Sequence, residues 1–276
     1  MDVFVPYSLE EALELKAVHP EASPIAGGTD LMVDVNAHRA QPSALLDLTH
    51  VAELRSWWHD DGRVFVGAAM TFARIADELT EFRSLASAAR SVASPQIRNR
   101  ATIGGNLATA SPAGDSIPVL AVYGADVVTA SSSTWMRRTP LPEFLVGPKR
   151  TSLAADELVV GVEWRPDPGF ESFTKVGRRN AMAIAVASAC LYVDHAGHTV
   201  RLALGSVAPT VLRASRAEEF AAAHDWSDPL TRDEFGRLAA AETRPIDDLR
   251  GSAAYRRHAV EVLARRELAR AEEAGC

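Results

Sequence analysis

Two short stretches of this sequence hold the residue types from which a phosphate site can be built. One is Ala26-Gly27-Gly28-Thr29-Asp30; the other is Ala101-Thr102-Ile103-Gly104-Gly105-Asn106-Leu107-Ala108-Thr109-Ala110-Ser111-Pro112-Ala113-Gly114-Asp115. Each joins an apolar, strand-like approach to two adjacent glycines, which let a backbone turn sharply and present bare N–H groups to a ligand with no Cβ in the way. The pairs are too far apart in the chain to share one loop. Two separate turns would have to converge on one elongated, twice-phosphorylated ligand, and a dinucleotide has that shape. A Gly-Gly pair on its own is most often only a turn. The second stretch carries more weight, because Asn106 to Asp115 is a run of small and polar residues with almost no charge. Asp115 then opens Ser116-Ile117-Pro118-Val119-Leu120-Ala121-Val122-Tyr123, the pattern of a buried helix with Asp at the N-cap and Pro in the first turn. Its carboxylate either caps that helix or accepts a hydrogen bond from a sugar or ribityl hydroxyl, and both roles stay open.

Little else in the chain can do chemistry unaided. The eight histidines, among them His19, His38, His50, His59 and His258, are scattered through turns and polar stretches without ligand spacing. Of the two cysteines, Cys190 lies in the apolar run 183–193, where a buried thiol is expected, and the other is Cys276. Two thiolates cannot ligate an iron–sulfur cluster, which takes four, or close a zinc site alone. Any cluster must belong to a partner. An enzyme subunit with no acid, base, nucleophile or metal set of its own depends on a cofactor, and the two glycine turns offer a place for one.

The two glycine stretches, taken with Ser94-Pro95-Gln96-Ile97-Arg98-Asn99-Arg100 and Phe173-Thr174-Lys175-Val176-Gly177-Arg178-Arg179-Asn180-Ala181-Met182, resemble the FAD-binding medium subunits of the molybdenum hydroxylases, the group of xanthine dehydrogenase and carbon monoxide dehydrogenase. The likeness runs across the chain and is similar to bacterial xanthine dehydrogenase-type flavin subunits. It implies an α+β protein: a two-part FAD-binding α/β domain of the PCMH or vanillyl-alcohol-oxidase type, then a C-terminal domain of a three-stranded antiparallel sheet with helices. It places the FAD diphosphate on Gly27, Gly28, Thr29, Gly104 and Gly105, flanked by Pro24, Ile25, Ala26, Asp30, Leu31, Thr102 and Ile103. The ribityl side falls to Asn106, Thr109, Ser111 and Asp115. Leu158 is expected near the flavin ring and Lys175 near the flavin. Read locally, Asp30 is a first-turn acid of the next helix, Lys175 an ordinary edge lysine, and Arg98 and Arg100 solvated or paired arginines rather than pyrophosphate ligands.

The same resemblance implies partners. A large subunit would hydroxylate substrate at a molybdenum cofactor and a small subunit would carry two [2Fe–2S] clusters, assembled as a dimer of heterotrimers. This chain would pass electrons from those clusters through FAD to NAD+ or another acceptor. A carbon monoxide or aldehyde dehydrogenase of the same family would use such a subunit too. In vertebrate xanthine dehydrogenases the loop after the family lysine carries acidic residues; here it reads Arg178-Arg179-Asn180-Ala181-Met182-Ala183, with two cations and no carboxylate. Positive charge there would stabilise an anionic reduced flavin and attract the phosphates of a nicotinamide dinucleotide, or pair with acids on a partner. Two other classes remain: a stand-alone flavoprotein oxidoreductase, against which neither glycine motif carries a His or Cys for covalent flavin, and a nucleotide-binding scaffold without turnover.

Composition agrees with an ordinary globular chain: 276 residues, 47% hydrophobic and 24% charged, enough for a sizeable core in more than one unit. A net charge of −7 argues against binding a nucleic-acid polymer or an anionic membrane surface. No apolar run has the length of a membrane span, and Met1-Asp2-Val3-Phe4 lacks the basic start of a signal peptide, so the cytoplasm is expected.

The elements that must position these residues follow from pattern. A strand at 3–5, a helix opened by the capping box Ser8-Leu9-Glu10-Glu11 and a strand at 23–26 make the start βαβα-like, which sets ligands at strand carboxyl ends and helix N-termini. The G-x-G-x-x-G fingerprint of a Rossmann unit is absent. A strand is expected at 45–48, a polar turn at 57–63, helices at 72–80 and 83–92, and strands at 125–130, 134–138 and 157–164. Breaks near 57 and at Arg165-Pro166-Asp167-Pro168-Gly169 divide the chain into 1–57, 58–166 and 167–276. After the second break come strands at 170–175, 184–193 and 200–207, then helices at 214–224, 231–242 and 255–274.

Overall fold

The computed structural model describes residues 1–275, so Cys276 lies outside the description. The chain forms two compact units, each assembled from separate lengths of sequence. One holds 1–75, 94–110 and 124–166; the other holds 76–93, 111–123 and the chain from 167 onward.

The first unit contains two main sheets. Strands Asp2–Phe4, Ala44–Asp47 and Ser23–Ile25 form a parallel sheet with Ala44–Asp47 in the middle. The helix Leu9–Val18 between its first two strands in sequence is capped by Ser8, whose side chain accepts from the Glu11 N–H. Glu11 reaches back one residue further than a capping box requires, accepting from the Tyr7 N–H at 2.8 Å. The second sheet has five antiparallel strands in the order Trp57–Asp60, Arg63–Gly67, Leu158–Trp164, Asp126–Ala130 and Arg137–Pro140. Every residue of the central strand is buried, which its unbroken apolar run Leu158-Val159-Val160-Gly161-Val162 demands, and Glu163 is tolerated there because Arg63 and Arg138 donate to it. The break expected near 57 falls where the strand Trp57–Asp60 begins.

The second unit is built in three layers. Its antiparallel sheet has the order Phe170–Val176, Ala187–Asp194, Thr199–Gly205 and Leu212–Arg213, so a two-residue strand extends the three expected ones. Alternation sorts the faces. Ala187, Ala189, Leu191, Val193, Leu202 and Leu204 form one core with the helices Ser215–Ala222, Pro229–Glu242 and Ala253–Gly275. The other face is covered by helices Arg83–Ser91 and Ser116–Val122, which lie inside the length expected as 58–166 yet pack here. Cys190, fully buried on this second face, is held well above its ordinary thiol pKa by burial, as its apolar run implied.

Polar groups fix the outer strand on both faces. On the helical-core face, Ser172 and Thr174 donate to Glu267 at 2.5 and 2.7 Å, and Arg270 adds a 2.7 Å bond, so the carboxylate is satisfied although only 1% exposed. On the opposite face stand Glu171 and Lys175. Glu267→Ala should therefore cost about 2 kcal/mol by removing the acceptor of the Ser172 and Thr174 hydroxyls at the strand–helix contact, Arg270 being exposed enough to turn to water. A lower urea midpoint with unchanged slope is the expected reading; a shift under about 0.5 kcal/mol would show that apolar packing alone holds the helix.

Candidate dinucleotide site

In the first unit the strand Ser23–Ile25 delivers Ala26, Gly27 and Gly28 at its carboxyl end. Gly28 has φ +69°, a left-handed conformation that side chains resist, and Gly27 lies so close to the other motif that a Cβ would run into the Arg100 carbonyl oxygen and come within 3.0 Å of Ala101 Cα. The two glycine stretches therefore do converge, backbone on backbone. Thr109 Oγ1 donates to Asp30 Oδ2 at 3.3 Å, tying the far end of the second stretch to the first turn. Among the described residues no protein acceptor takes the N–H groups of Gly27, Gly28, Thr29, Asp30 and Leu31. Successive unengaged amides around a left-handed glycine form the concave donor array that suits an anion. Asp30 sits at the N-cap of Leu31–Asn36 but makes no side-chain cap bond, so its carboxylate serves Thr109 rather than the helix expected of it.

The second glycine pair works differently from expectation. Gly104 and Gly105 are not a bare turn; they lie in the first turn of the helix Ile103–Thr109, capped by Thr102. Its leading amides are spoken for: Ile103 N donates to Met70 O at 3.0 Å, Gly104 N to Ala68 O at 2.9 Å, Gly105 N to Thr102 Oγ1 at 3.1 Å and Asn106 N to Thr102 O at 3.0 Å. Gly104 is glycine for packing, since a Cβ there would strike the Cβ and backbone of Ala68. Gly105 is exposed, and a Cβ on it would meet only Thr102 Oγ1, at 3.1 Å.

In the second unit Asp115 and Lys175 form a buried pair. Lys175 Nζ donates to Asp115 Oδ2 at 2.5 Å, to Ser91 O at 2.8 Å and to Ala183 O at 3.0 Å, which uses every ammonium proton. Lys175 thus stands on the sheet's outer strand but is not the solvated lysine of an ordinary edge. Asp115 precedes the helix Ser116–Val122 as expected, but its side chain makes no cap bond. Ser91 Oγ adds a 3.0 Å bond to Oδ2, while Oδ1 is buried without a partner. Burial pushes the Asp115 carboxyl above the ordinary carboxylate range, against the downward pull of Lys175 and Ser91. An orphaned carboxylate oxygen in a 7% exposed residue is costly and suits a ligand hydroxyl.

The remaining expected residues divide. Ser111 Oγ accepts from its neighbour Ala113 N at 3.3 Å, in the second unit. Pro24 is exposed, Ile25 and Leu31 are half-buried, and Leu158 is a fully buried strand residue paired with Ala130 in the first unit's sheet. Arg98 ends the short helix Pro95–Arg98, capped by Ser94, and Arg100 is exposed. Arg178 donates to Leu249 O at 3.0 Å, and Arg179 to Met182 O at 3.2 and 2.7 Å, both on the surface. Sequence reasoning missed Ala68 and Ser91. The run Gly67-Ala68-Ala69 was a usable sign of close backbone approach, whereas Ser91, which acts through both its carbonyl and its hydroxyl, is a lone serine at a helix end and left no signal.

Beside this geometry stand the comparisons with known proteins. The model of the FAD binding domain in molybdopterin dehydrogenase matches residues 1–164, and that of the CO dehydrogenase flavoprotein C-terminal domain matches 171–271. The chain belongs to the FAD-binding subunits of the molybdopterin dehydrogenases. It is 31% identical to the xanthine dehydrogenase FAD-binding subunit of Escherichia coli O157:H7, over 96% of this chain and 93% of that one. It is 32% identical to the nicotine 6-hydroxylase medium subunit of Paenarthrobacter nicotinovorans, over 96% and 95%. The crystal structure of quinoline 2-oxidoreductase from Pseudomonas putida 86 matches with TM-score 0.93 at 29% identity, covering 99% of this chain and 97% of that one. The expected FAD-binding domain followed by a C-terminal flavoprotein domain is the architecture of this subunit, and FAD is its cofactor.

The glycine geometry separates three variants. Gly27→Ala and Gly104→Ala should each lose about 2 kcal/mol or more through backbone collisions, and with it the bound FAD. Gly105→Ala should stay within about 0.5 kcal/mol, helix propensity offsetting the tight Thr102 contact, and should keep FAD. Loss of FAD from a stable Gly105→Ala subunit would return the second pair to the diphosphate. A second measurement addresses Asp115. Its raised pKa means that, from the ordinary value of 3.8 upward, the folded chain holds a proton the unfolded chain has released, so its contribution to stability falls as pH rises through that window. Urea titrations at stepped pH should show that decline in the parent and not in Asp115→Asn; equal slopes would place the carboxyl at its ordinary value.

Proposed function

We propose that this subunit is the electron-transfer module of a xanthine dehydrogenase-like molybdenum hydroxylase, with the molybdenum cofactor on a large partner subunit and [2Fe–2S] clusters on a small one. The observation that carries the reading is the row of unengaged amides from Gly27 to Leu31, pinned by Gly27 against the Arg100 carbonyl, in a chain matched along its length to flavin subunits. Those amides take the FAD diphosphate. Gly28 supplies the left-handed turn, and Thr29 and Asp30 close it, with Asp30 steadied by Thr109. Asp115 Oδ1 accepts a ribityl or sugar hydroxyl, and Lys175 holds the other carboxylate oxygen in place. Bound FAD supplies storage for an electron pair between one-electron donors and a two-electron acceptor.

Several relatives are named for nitrogen heteroaromatic substrates: xanthine, nicotinate, nicotine and quinoline. That pattern supports an N-heteroaromatic substrate for the complex, with xanthine the leading choice, and such a substrate would meet the large subunit rather than this chain. The proposed assembly is a cytoplasmic heterotrimer or its dimer, and no helix among the described residues is long and apolar enough to cross a membrane.

NAD+ is the proposed acceptor. The surface guanidinium groups of Arg178 and Arg179 donate to backbone carbonyls, and among the described residues neither pairs with a carboxylate, so their charge is available to a dinucleotide's phosphates. Affinity purification of this chain from its native cell should bring down two further chains with molybdenum, iron and one FAD per subunit. Recovery of the yellow chain alone would favour a stand-alone flavoprotein, and a colourless chain a scaffold. In the assembled complex, Arg178→Ala with Arg179→Ala should weaken NAD+ reduction about tenfold while sparing reduction of an artificial dye. Equal losses with both acceptors would move the arginines to assembly or flavin tuning.

A further inference from the structure

Within the second unit, a group of hydrogen bonds behind the Asp115–Lys175 pair has no part in the glycine turns. Ser206 has φ +65°, a left-handed conformation that costs a non-glycine residue about 1 kcal/mol. Its N–H donates to Pro112 O at 2.7 Å, its Oγ to Ala185 O at 3.0 Å, and its own carbonyl accepts from Arg256 Nη1 at 2.8 Å. The same Nη1 reaches Val186 O at 2.6 Å. Nη2 is held by Asp248 Oδ1 at 2.7 Å, and that oxygen also accepts from Arg250 N and Gly251 N. Arg256 is 3% exposed; its two terminal nitrogens are bonded inside the protein while its Nε is buried without a partner.

The carbonyls gripped here are the informative part. Pro112 lies in the segment that ends at Asp115. Ala185 and Val186 close the loop whose Ala183 carbonyl is the third acceptor of Lys175. Both halves of the buried pair are therefore moored to one serine and one arginine. A residue needed only to turn the chain at 206 would be glycine, which adopts this φ freely. Serine keeps the strain and gains the Ala185 bond, and only the hydroxyl can make it.

We propose that Ser206 and Arg256 are positioning residues for the Asp115–Lys175 pair, fixing the segment 112–115 and the loop 177–186 so that the ammonium keeps its three acceptors. The functional side of this rests on the reading that Asp115 Oδ1 receives an FAD hydroxyl; the positioning itself does not.

The three lysines of the sequence make a direct test, because Lys149 is exposed, Lys16 is buried in the other unit and Lys175 is held by the pair. The FAD-free full chain is treated with acetic anhydride and the acylation rate of each lysine is read by mass spectrometry, for the parent, Ser206→Gly, Ser206→Ala and Arg256→Lys. Ser206→Gly removes the strain together with the hydroxyl, so it keeps the test usable if Arg256→Lys fails to fold. The expected result is Lys175 acylation about tenfold faster in Ser206→Gly and Arg256→Lys, with Lys16 and Lys149 unchanged. Lys175 rates equal to the parent's, or rising only in step with Lys16, would overturn the proposal. FAD affinity is measured alongside, with Asp115→Ala as the reference. A tenfold weaker affinity in Ser206→Gly at undiminished thermal stability supports the link to the ligand. Unchanged affinity in Asp115→Ala, with Lys175 still unmasked in Ser206→Gly, supports the positioning and sinks the assignment of Asp115 to FAD.

Discussion

The second unit depends on one ammonium group in a place where a charge is expensive. Lys175 is tolerated there because it donates to three oxygens, and those oxygens come from three different lengths of chain: the end of Arg83–Ser91, the start of Ser116–Val122 and the loop after Lys175's own strand. Four residues earlier on the same face, Glu171 accepts from Ser84 N at 3.0 Å and from Tyr123 Oη at 2.6 Å. The strand Phe170–Val176 thereby grips both helices at both ends, Glu171 at the start of one and the finish of the other, Lys175 the reverse. The two helices must run antiparallel. Register is equally constrained, because a slip of one residue would turn Lys175 toward the buried Glu267 face and leave three acceptors empty.

The first unit answers to a different constraint, the distance at which two backbones can pass. Gly27 against Arg100 and Gly104 against Ala68 are contacts that no side chain permits, and Gly67 repeats the pattern, since a Cβ there would strike the Leu54 carbonyl. Gly104 and the residues around it spend their amides on Ala68, Met70 and Thr102, whereas the amides of the first motif take no protein acceptor among the described residues. Two similar-looking Gly-Gly pairs thus differ in their hydrogen bonding, and the difference follows from which backbone each is packed against.

That division explains what could and could not be read from the residues. Most strands and helices were legible because apolar alternation and caps such as Ser8 are local signals, whereas the strand Trp57–Asp60 and the short helices Pro95–Arg98 and Ile103–Thr109 fall where a turn or loop was expected. The close approach of the two glycine stretches was anticipated, although the second is the first turn of a helix rather than the bare turn expected. The engagement of the Gly104 amide was not, because its acceptor, Ala68 O, lies more than thirty residues away in sequence. Asp115 could be read as a cap or as an acceptor for a ligand hydroxyl, since its position before Ser116 is a cap position; its protein partner, Lys175, is set by sheet register and was not legible. The association of 76–93 and 111–123 with the C-terminal sheet was hidden for the same reason. Its polar determinants, Glu171 and Lys175, occur once each and leave no periodic trace.

Backbone strain adds a further step. Among the described residues with left-handed φ, His38, Asp61 and His198 are types enriched in that region and lie in exposed turns, where they need no special account. Ala93, Ala110, Met182 and Ser206 are different, having either no polar side chain to stabilise the conformation locally or one directed elsewhere. Ala93, Ala110 and Ser206 fall just after an element ends, Ala93 following Ser91, Ala110 following Thr109 and Ser206 bonding the Pro112 carbonyl, while Met182 lies within the loop 177–186 next to Ala183. Conformations of this kind persist only where the surroundings over-determine them. Here the over-determination is visible, since Ala110 O accepts from Lys149 N at 3.1 Å and Met182 O from Arg179. Lys149, also left-handed, is the residue whose N–H meets Ala110 O, so two strained positions hold one another, and each such segment is fixed in one backbone conformation by the protein itself. Binding then spends less of its free energy on ordering the chain.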